Sequence, residues 1–399
     1  MVDYVVNPSQ RSVNVCYAIR DIAVLAAQVA KTGKEMLYLN IGDPNVYDHT
    51  TPRHVIEAAY KAMLENKNGY SPSSGIQIAI DSIQRDAERK GITNIQDIFV
   101  TSGASEAIEL CLTALCEVGE NVLLPTPGYP LYTALLSKLE LIENPYYMDE
   151  DNNWEPNIDD IRKKINPKTK GIVLINPNNP TGTVYSENTL RKIIDIALEY
   201  KLIIFADEIY DKLLFDGKKH TAIASLNSDV PIITFTGMSK NYVTPGWRIG
   251  WGVASGNTKS LEKYLDALNK LLRARLCANH PQQYAIPAAL DGDQSHLQAM
   301  NNTLQRRRDI TMNLLATIPG ISLVKPEGAF YAYPSIDVDD DTKFTRELMI
   351  ETGVVVVPGS GFGQKPGSRH FRIVILPPED ILERAFSKIA EFYSKYKNK

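Results

Sequence analysis

The chain has 399 residues and a net charge of −4 at pH 7, and this length allows two or three domain-sized units with sizeable cores. Acidic and basic residues are interspersed, which excludes the basic surface expected of a protein that binds nucleic acid or an acidic membrane. No apolar run approaches the ~18 residues that a membrane span needs. The first residues, MVDYVVNPSQRS, lack the pattern of a signal peptide.

The cysteines and histidines form no metal-binding pattern. The four cysteines are scattered without a CxxC pair, and the six histidines form neither HExxH nor HxH. We therefore expect no metal site, and we expect a reducing cytoplasm as the compartment.

The first 90 residues are predicted to be mainly helical. The segment IRDIAVLAAQVAKTGKE carries apolar residues at helical spacing, and a second helix is expected around residues 52–64. Between them, a short apolar run at 37–41 leads into the turn Gly42-Asp43-Pro44. A polar loop at 66–75 then precedes another amphipathic helix, which ends near Lys90.

From residue 98 onward, short apolar runs alternate with helical patterns. Continuous apolar runs separated by helices predict a largely parallel sheet covered on both faces. In such sheets ligands bind beyond the carboxyl ends of the strands, and Asn179, Asp207 and Lys240 all follow such runs. The predicted strands are 98–101, 122–124, 171–175, 202–206 and 232–235, and the clearest helices are 105–116 and 186–200.

The end of the chain, residues 321–396, is predicted to be an α+β unit. Its strands are expected in the apolar segments ISLV, GAFYAYP, VVVVP and RHFRIVI, with helices between and after them. A long helical stretch at 259–275 comes before this unit. We expect a second domain from about residue 287 onward, joined by the N-terminal arm.

The stretch 234–251, TFTGMSKNYVTPGWRIGW, carries the strongest chemical signal. Lys240 follows an apolar strand, and burial there favours the neutral, nucleophilic amine that Schiff-base chemistry needs. Arg248 lies between Trp247 and the strand-like IGWGVA, and it offers a fork of donors suited to a phosphate. A lysine that can form an aldimine beside a phosphate-binding arginine indicates pyridoxal phosphate.

Two further segments offer contacts for the phosphate and the ring of such a cofactor. Gly103-Ala104-Ser105 begins a helix whose free N–H groups favour an anion, although taken alone it is better explained by an ordinary N-cap at Ser105. Asp207 ends a strand, where a carboxylate can keep a pyridinium nitrogen protonated, and Tyr210 can bond the ring oxygen. A polar loop with an acidic helix start is an equally good account of this segment.

Four more residues are candidates for holding the ring or the substrate. Asn179 lies in the loop NPNNPTG, whose prolines and glycine make it rigid enough to fix a ligand atom. Tyr129 either stacks on an aromatic ligand or fills the core, and Tyr70 has no obvious core role, which suggests a ligand or a partner chain. Arg372 lies on an apolar strand, where it faces either a substrate carboxylate or a structural ion pair.

Four motifs occur along the chain in this order: NPNNPTG, DEIY, SK followed eight residues later by the arginine of GWRIGW, and the late FRI. Together they resemble the class I/II aminotransferases, which are pyridoxal-phosphate enzymes of fold type I. The resemblance covers essentially the whole chain. It implies an α/β fold whose large domain has a mostly parallel seven-stranded sheet sandwiched by helices, plus a smaller α+β domain. The implied boundaries are an N-terminal arm at 1–45 that contributes to the small domain and to a dimer contact, a large cofactor-binding domain at 46–286, and a small domain at 287–399.

The resemblance also implies a role for each candidate residue. Lys240 would form the internal aldimine and then act as general base, and Tyr17 would close over the substrate. Arg372, with the Gly42 backbone and Asn179, would bind the substrate. The implied cofactor contacts are Asp207 to the pyridine nitrogen, Asn179 and Tyr210 to the ring oxygen, Tyr129 on the ring face, and Gly103, Ala104, Ser105, Ser239, Arg248 and Tyr70 around the phosphate, with Tyr70 reaching from the second subunit of a homodimer.

Within the family, the chain resembles the archaeal and bacterial alanine aminotransferases in the segments YAIRD, LNIGDP, RLCANHPQQ and PGSGFG. The implied reaction converts L-alanine and 2-oxoglutarate to pyruvate and L-glutamate by a ping-pong mechanism. Arg20 and Asn279 are the candidates for the second carboxylate of glutamate. One departure is Gly237, which stands where some members carry a phosphate-binding serine, a loss that Ser239 is expected to offset in part.

Other functions remain open on the sequence. An aspartate, aromatic or broad-range transaminase of the same family is the nearest alternative, and a β-lyase would use the same scaffold. A cofactor-sensing regulator would carry an added DNA-binding domain, for which we expect no room before Tyr17. A nicotinamide dehydrogenase is disfavoured because residues 359–363 read GxGxG rather than GxGxxG.

Overall fold

The computed structural model describes residues 5–15 and 18–397. Its helices are Gln10–Val13 (α1), Ala18–Ala30 (α2), Arg53–Leu64 (α3), Gln77–Arg89 (α4), Ala104–Leu115 (α5), Leu131–Lys138 (α6), Ile158–Lys164 (α7), Glu187–Tyr200 (α8), Thr258–Ala274 (α9), His280–Gln283 (α10), Ala285–Asp291 (α11), Ser295–Leu315 (α12), Asp341–Thr352 (α13) and Glu379–Lys397 (α14). Within these described residues, none of the helices has the length and apolar character needed to cross a membrane.

The strands are Leu37–Tyr38 (β1), Ile95–Thr101 (β2), Asn121–Thr126 (β3), Ile142–Asp149 (β4), Glu155–Pro156 (β5), Thr169–Ile175 (β6), Ile203–Asp207 (β7), Ile232–Gly237 (β8), Gly250–Ser255 (β9), Ile321–Ser322 (β10), Tyr331–Ala332 (β11), Ser335–Ile336 (β12), Val354–Val355 (β13), Val357–Pro358 (β14) and Phe371–Val374 (β15). The runs predicted at 98–101, 122–124, 171–175, 202–206 and 232–235 all fall on strands of this set, so these strand predictions are confirmed to within a few residues at their ends.

The largest sheet in the described part of the chain has eight strands in the order β2-β9-β8-β7-β6-β3-β4-β5. β3, β4, β6, β7 and β8 run parallel, β9 is antiparallel to both neighbours, and β5 is antiparallel to β4. The expected mostly parallel sheet is therefore confirmed, but the predicted count of seven strands is wrong. The extra strand, β5, spans only Glu155–Pro156 and is too short to give an apolar run.

The central strands of this sheet pack successive residues into two different cores. Along β7, Ile204 and Ala206 belong to the cluster on one face, while Ile203 and Phe205 belong to the cluster on the other. Helices α3, α4, α8 and α11 contribute to the first cluster, and α5, α6 and α9 contribute to the second. A strand buried on both faces is apolar at every position, which is why the central strands were recognisable in the sequence.

The C-terminal residues form smaller sheets of their own, with the pairings β11-β15-β14, β10-β12 and β1-β13. β1 runs parallel to β13, with Leu37 opposite Val354, so a segment near the N-terminus joins the C-terminal part. Leu39, Phe344 and Phe371 share one core there. The α+β character expected of this part is confirmed, whereas the domain boundaries at 45/46 and 286/287 stay predictions.

Gly252 on β9 lets this strand pass close to β2. A Cβ atom at Gly252 would lie 2.3 Å from Cζ of Phe99, well inside van der Waals contact. We expect Gly252→Ala to lower the free energy of unfolding by about 1–3 kcal/mol, because the ring has no space to move in a packed core. Urea denaturation measures the change.

Phe99→Leu serves as the matched partner variant for this test. In the double variant the smaller side chain makes room for the new methyl group, so the two changes together should cost less than their sum. Strictly additive costs, or a Gly252→Ala protein as stable as the unchanged chain, would contradict the proposed clash.

Candidate active site

The carboxyl ends of β6, β7 and β8 border a cavity of about 720 Å³, at the edge where ligands bind in sheets of this kind. Asp207 is the last residue of β7, and Asn179 and Lys240 follow β6 and β8. Tyr331 and Arg372 line it from the C-terminal part of the chain. The predicted site residues that line the cavity are Gly42, Ala104, Ser105, Tyr129, Asn179, Asp207, Tyr210, Ser239, Lys240, Arg248 and Arg372.

The amine of Lys240 is held between the sheet and the N-terminal segment. Its Nζ donates a hydrogen bond of 2.8 Å to the carbonyl oxygen of Gly42. Burial lowers the pKa of Lys240 to about 8; the nearby charge of Asp43 opposes this shift, while those of Arg372 and Arg248 add to it. A neutral amine is a nucleophile and a base, so Lys240 is chemically competent close to neutral pH.

Asp207 is a buried carboxylate deep in the same cavity. Burial raises the pKa of Asp207 to about 6, although hydrogen bonds from the N–H of Ile209 and the hydroxyl of Tyr132 act in the opposite direction. The donor atoms of these two bonds lie 3.4 Å and 3.2 Å from the carboxylate oxygens. At pH 7 the group therefore carries a negative charge with little access to water, and a cationic ring nitrogen would be a favourable neighbour.

Arg372 is 1% exposed and lies at the C-terminal wall of the cavity. Its guanidinium donates to Oδ1 of Asn179 at 3.3 Å and to the carbonyl oxygen of Asn40. The same group lies over the rings of Tyr331 and Phe362, at 4.6 Å and 4.8 Å from the ring centres. A guanidinium fixed on so many sides presents its donors in one orientation, which suits a carboxylate.

Tyr331 is a site residue that the sequence reasoning missed. Its hydroxyl is hydrogen-bonded to that of Tyr210 at 2.9 Å, and its ring supports Arg372. The hydroxyl oxygen also lies 2.4 Å from where a Cβ atom at Gly42 would stand, so only glycine fits there. In the sequence this tyrosine is one aromatic residue of the apolar run GAFYAYP, and its role follows only from contacts with distant segments.

The opposite end of the cavity has the character of an anion site. Helix α5 begins at Ala104, so its first N–H groups are directed toward Arg248 and the cavity. A Cβ atom at Gly103 would lie 2.4 Å from Nη2 of Arg248, and one at Gly250 would lie 2.3 Å from the nitrogen of Ala104. Both glycines are therefore required for the helix end and the guanidinium to come together.

Gly237 shows why a serine is not accommodated before the lysine. A Cβ atom at this position would lie 2.8 Å from the carbonyl oxygen of Ile249 and 2.9 Å from Cα of Gly250. The close approach of β8 and β9 leaves no space for a side chain, while Ser239 lines the cavity nearby.

The remaining predicted residues are not gathered at this cavity within one chain. Tyr70 is 83% exposed, and its contact with a second subunit stays a prediction. Asn279 is exposed and its amide donates to the carbonyl oxygen of Trp247. Tyr17 lies outside the described residues, and so does the side chain of Arg20.

Comparison with known proteins identifies what this chain is similar to. The family model for aminotransferase class I and II matches residues 34–389. The glutamate-pyruvate aminotransferase AlaA of Escherichia coli (strain K12) is 40% identical, over 98% of this chain and 98% of its own length. The alanine aminotransferase of Mycobacterium tuberculosis (strain ATCC 25618 / H37Rv) is 37% identical, over 96% of this chain and 92% of its own. The solved structure of an alanine aminotransferase from Pyrococcus furiosus superimposes with a TM-score of 0.94 at 40% identity, covering 98% of this chain and 100% of that one.

The lowered pKa of Lys240 gives a direct prediction for protein in which this amine is free, after hydroxylamine treatment and dialysis have removed any bound aldehyde. We expect acetylation of Lys240 by acetic anhydride, followed by mass spectrometry of its peptide, to rise with a midpoint near pH 8, since only the neutral amine reacts. Asp43→Asn removes a charge that favours the protonated amine, so it should move the midpoint to a lower pH. A midpoint near 10.5, the ordinary value for lysine, would contradict the burial of the amine.

Proposed function

The chain belongs to aminotransferase class I and II, and on that premise we propose that it transfers the amino group of L-alanine to 2-oxoglutarate, giving pyruvate and L-glutamate, with pyridoxal phosphate as cofactor. The observation that carries the proposal is one cavity with Lys240 between an anion site at Arg248 and a carboxylate site at Arg372. The names and full-length similarity of the E. coli and M. tuberculosis relatives support alanine as the donor.

The residues present fit pyridoxal phosphate in each of its parts. Arg248 and the beginning of α5 offer donors for a phosphate dianion, and they come together because Gly103 and Gly250 carry no side chain. Asp207 offers a buried negative charge to a protonated ring nitrogen. Following the family resemblance, we assign Asn179 and Tyr210 to the ring oxygen, Tyr129 to the ring face and Ser239 to the phosphate; all four residues line the same cavity.

The bound cofactor supplies a carbonyl that takes up the amino group and a ring that delocalises the electrons left when a proton leaves Cα of the substrate. Lys240 is the base in this proposal. Its neutral Nζ would take the proton from Cα of the substrate and deliver it to the C4′ carbon of the cofactor. A pKa of about 8 suits this role, because proton transfer is efficient when the base titrates near the working pH. Asp207 keeps the ring nitrogen protonated through its charge.

Arg372 orients the substrate, since a carboxylate bonded to its guanidinium directs Cα toward Lys240. Ile19, Ala23 and Ile41 give the cavity an apolar side, which suits the methyl group of alanine better than the charged side chain of aspartate. An aspartate aminotransferase of the same family is the runner-up. Arg20 and Asn279 remain the candidates for the second carboxylate of glutamate.

The proposed enzyme is a homodimer, and helix α3 carries the observation that supports this. Its face toward the core holds Val55, Ala59 and Ala62, while the opposite face exposes a stripe of apolar side chains, which we call the α3 stripe: Ile56, Tyr60, Met63 and Leu64. An exposed stripe of this kind is typical of a protein interface. A second copy covering the α3 stripe would also bring the exposed Tyr70 toward a neighbouring cavity.

The compartment proposed is the cytoplasm. Three described cysteines, Cys111, Cys116 and Cys277, are free thiols, and burial raises the pKa of Cys111 to about 12, which makes this thiol unreactive. Free thiols are what a reducing compartment maintains.

A spectral titration tests the reaction itself. Addition of L-alanine to the purified holoenzyme should change the absorbance of the bound cofactor, and 2-oxoglutarate should reverse the change, whereas L-aspartate should produce a much weaker effect. A stronger response to aspartate would favour an aspartate aminotransferase, and no response to any amino acid would contradict the proposal.

Arg372→Lys tests the carboxylate site. A lysine keeps the charge but loses the fork of donors, so we expect KM for both alanine and 2-oxoglutarate to rise by about tenfold or more while the absorbance of the bound cofactor is unchanged. Arg369→Lys is the matched control, because Arg369 donates to the carbonyl oxygens of Asp339 and Ser368 rather than lining the cavity. Equal effects of the two substitutions would contradict the assignment.

Tyr60→Glu tests the dimer. A charge in the centre of the α3 stripe should turn the dimer into a monomer, as measured by light scattering after gel filtration, and should lower activity because Tyr70 can no longer reach a second cavity. Leu198→Glu, at an exposed apolar position on α8, is the control that should stay dimeric. A Tyr60→Glu protein that remains a dimer would place the interface elsewhere.

A further inference from the structure

The hydroxyl groups of Tyr210 and Tyr331 form a hydrogen-bonded pair at the wall of the cavity. Their oxygen atoms lie 2.9 Å apart, and both residues line the cavity although they are only 4% and 3% exposed. Each hydroxyl has one proton to donate and lone pairs with which to accept. The pair therefore has two arrangements, with either Tyr210 or Tyr331 as the donor, and only one of them leaves the proton of Tyr210 for a ligand.

The two rings are held in place by the residues around them. Phe330 and Tyr331 meet the ring of Tyr210 edge to face, with ring centres 5.3 Å and 5.7 Å away and interplanar angles of 88° and 85°. The ring of Tyr331 lies against the guanidinium of Arg372 on one side, and its hydroxyl occupies the space beside Gly42. Because both oxygen atoms are fixed in this way, the hydroxyl hydrogens are the atoms that remain free to rotate.

We propose that Tyr331 donates its hydroxyl proton to Tyr210 and so directs the proton of Tyr210 toward the ring oxygen of the cofactor, which makes Tyr331 a positioning residue. The inference rests on the assignment of Tyr210 to this oxygen in the function proposed above. A hydroxyl that gives its one proton to a ligand can enter a second hydrogen bond only as the acceptor. The contact between the two hydroxyls then requires Tyr331 to be the donor.

The surroundings of the pair favour the same direction. The guanidinium of Arg372 lies 4.6 Å from the centre of the Tyr331 ring, and a positive charge strengthens a nearby O–H as a donor because it stabilises the negative charge left on the oxygen. Burial raises the pKa of Tyr210 well above its ordinary value, so Tyr210 keeps its proton at neutral pH. Donation from Tyr331 also makes the O–H of Tyr210 a stronger donor, since consecutive hydrogen bonds polarise one another.

The affinity of the cofactor-free protein for pyridoxamine phosphate tests the direction of this bond. The compound has the ring oxygen and phosphate of pyridoxal phosphate but no aldehyde to react with Lys240, so its dissociation constant reports non-covalent contacts. Tyr331→Phe keeps the ring beside Arg372 and removes the hydroxyl. We expect it to weaken binding by about three- to tenfold, measured by quenching of protein fluorescence, because the O–H of Tyr210 loses the group that directs it. If Tyr331 were the acceptor, the substitution would free the proton of Tyr210 and tighten binding, which would overturn the inference.

A double-mutant cycle tests whether Tyr331 acts through Tyr210. In a Tyr210→Phe background the oxygen that Tyr331 donates to is gone, so Tyr331→Phe should change the dissociation constant by less than about twofold. An equal factor in both backgrounds would mean that Tyr331 acts by another route, and it would also overturn the inference. Tyr333→Phe is the matched control and should leave binding unchanged. Tyr333 is buried two residues further along the chain, and its hydroxyl donates to the carbonyl oxygen of Gly359 at 3.0 Å rather than lining the cavity.

Failure of the inference can be distinguished from failure of the proposed function. A protein that binds the cofactor but transfers no amino group from alanine would refute the proposed reaction, and the cycle would still decide the role of Tyr331. A protein that binds neither pyridoxal phosphate nor pyridoxamine phosphate would refute both.

Discussion

The arrangement of the candidate active site depends on keeping one amine, Nζ of Lys240, out of water. Enclosing a charged lysine costs solvation free energy, which the carbonyl of Gly42 and the charge of Asp43 return only in part. The cost that remains is expressed as a pKa lowered to about 8. The sheet alone cannot provide this enclosure, because the side of the cavity facing away from the strand ends is formed by the segment at Gly42 and by Arg372.

The same burial acts on Asp207 with the opposite sign, because desolvation disfavours whichever form is charged. The pKa of the carboxyl rises to about 6 and that of the amine falls to about 8. The pKa values of both groups are thereby brought closer to pH 7, where small changes in their surroundings decide whether each group is protonated. Paired shifts of this kind are common at reaction centres. The hydroxyl of Tyr132 moderates the shift of Asp207, so a core tyrosine helps to keep the carboxyl ionised.

The sequence predicted the central strands and most of the cavity because both follow from local patterns. Strands such as β6 and β7 are apolar at every position, and chemical residues that follow them must meet at one edge of the sheet. The sequence of β4, IENPYYMD, contains polar residues and a proline at an outer position of the sheet, so no apolar run marks it. Tyr331 was missed for a different reason: its contacts with Gly42, Tyr210 and Arg372 join residues that are far apart in the chain.

The pairing of β1 with β13 also constrains the order of events during synthesis. Leu37 and Val354 are neighbours in one small sheet although 317 residues separate them, and such long-range contacts form late. Residues 95–255 contain all strands of the large sheet, so that sheet can assemble while the ribosome is still making the last third of the chain. The acceptor of the Lys240 hydrogen bond, Gly42, is made early, but the neighbouring strand β1 has its pairing partner only in β13. We therefore expect the enclosure of Lys240, and with it the lowered pKa of its amine, to be complete only after β13 and β15 have been made.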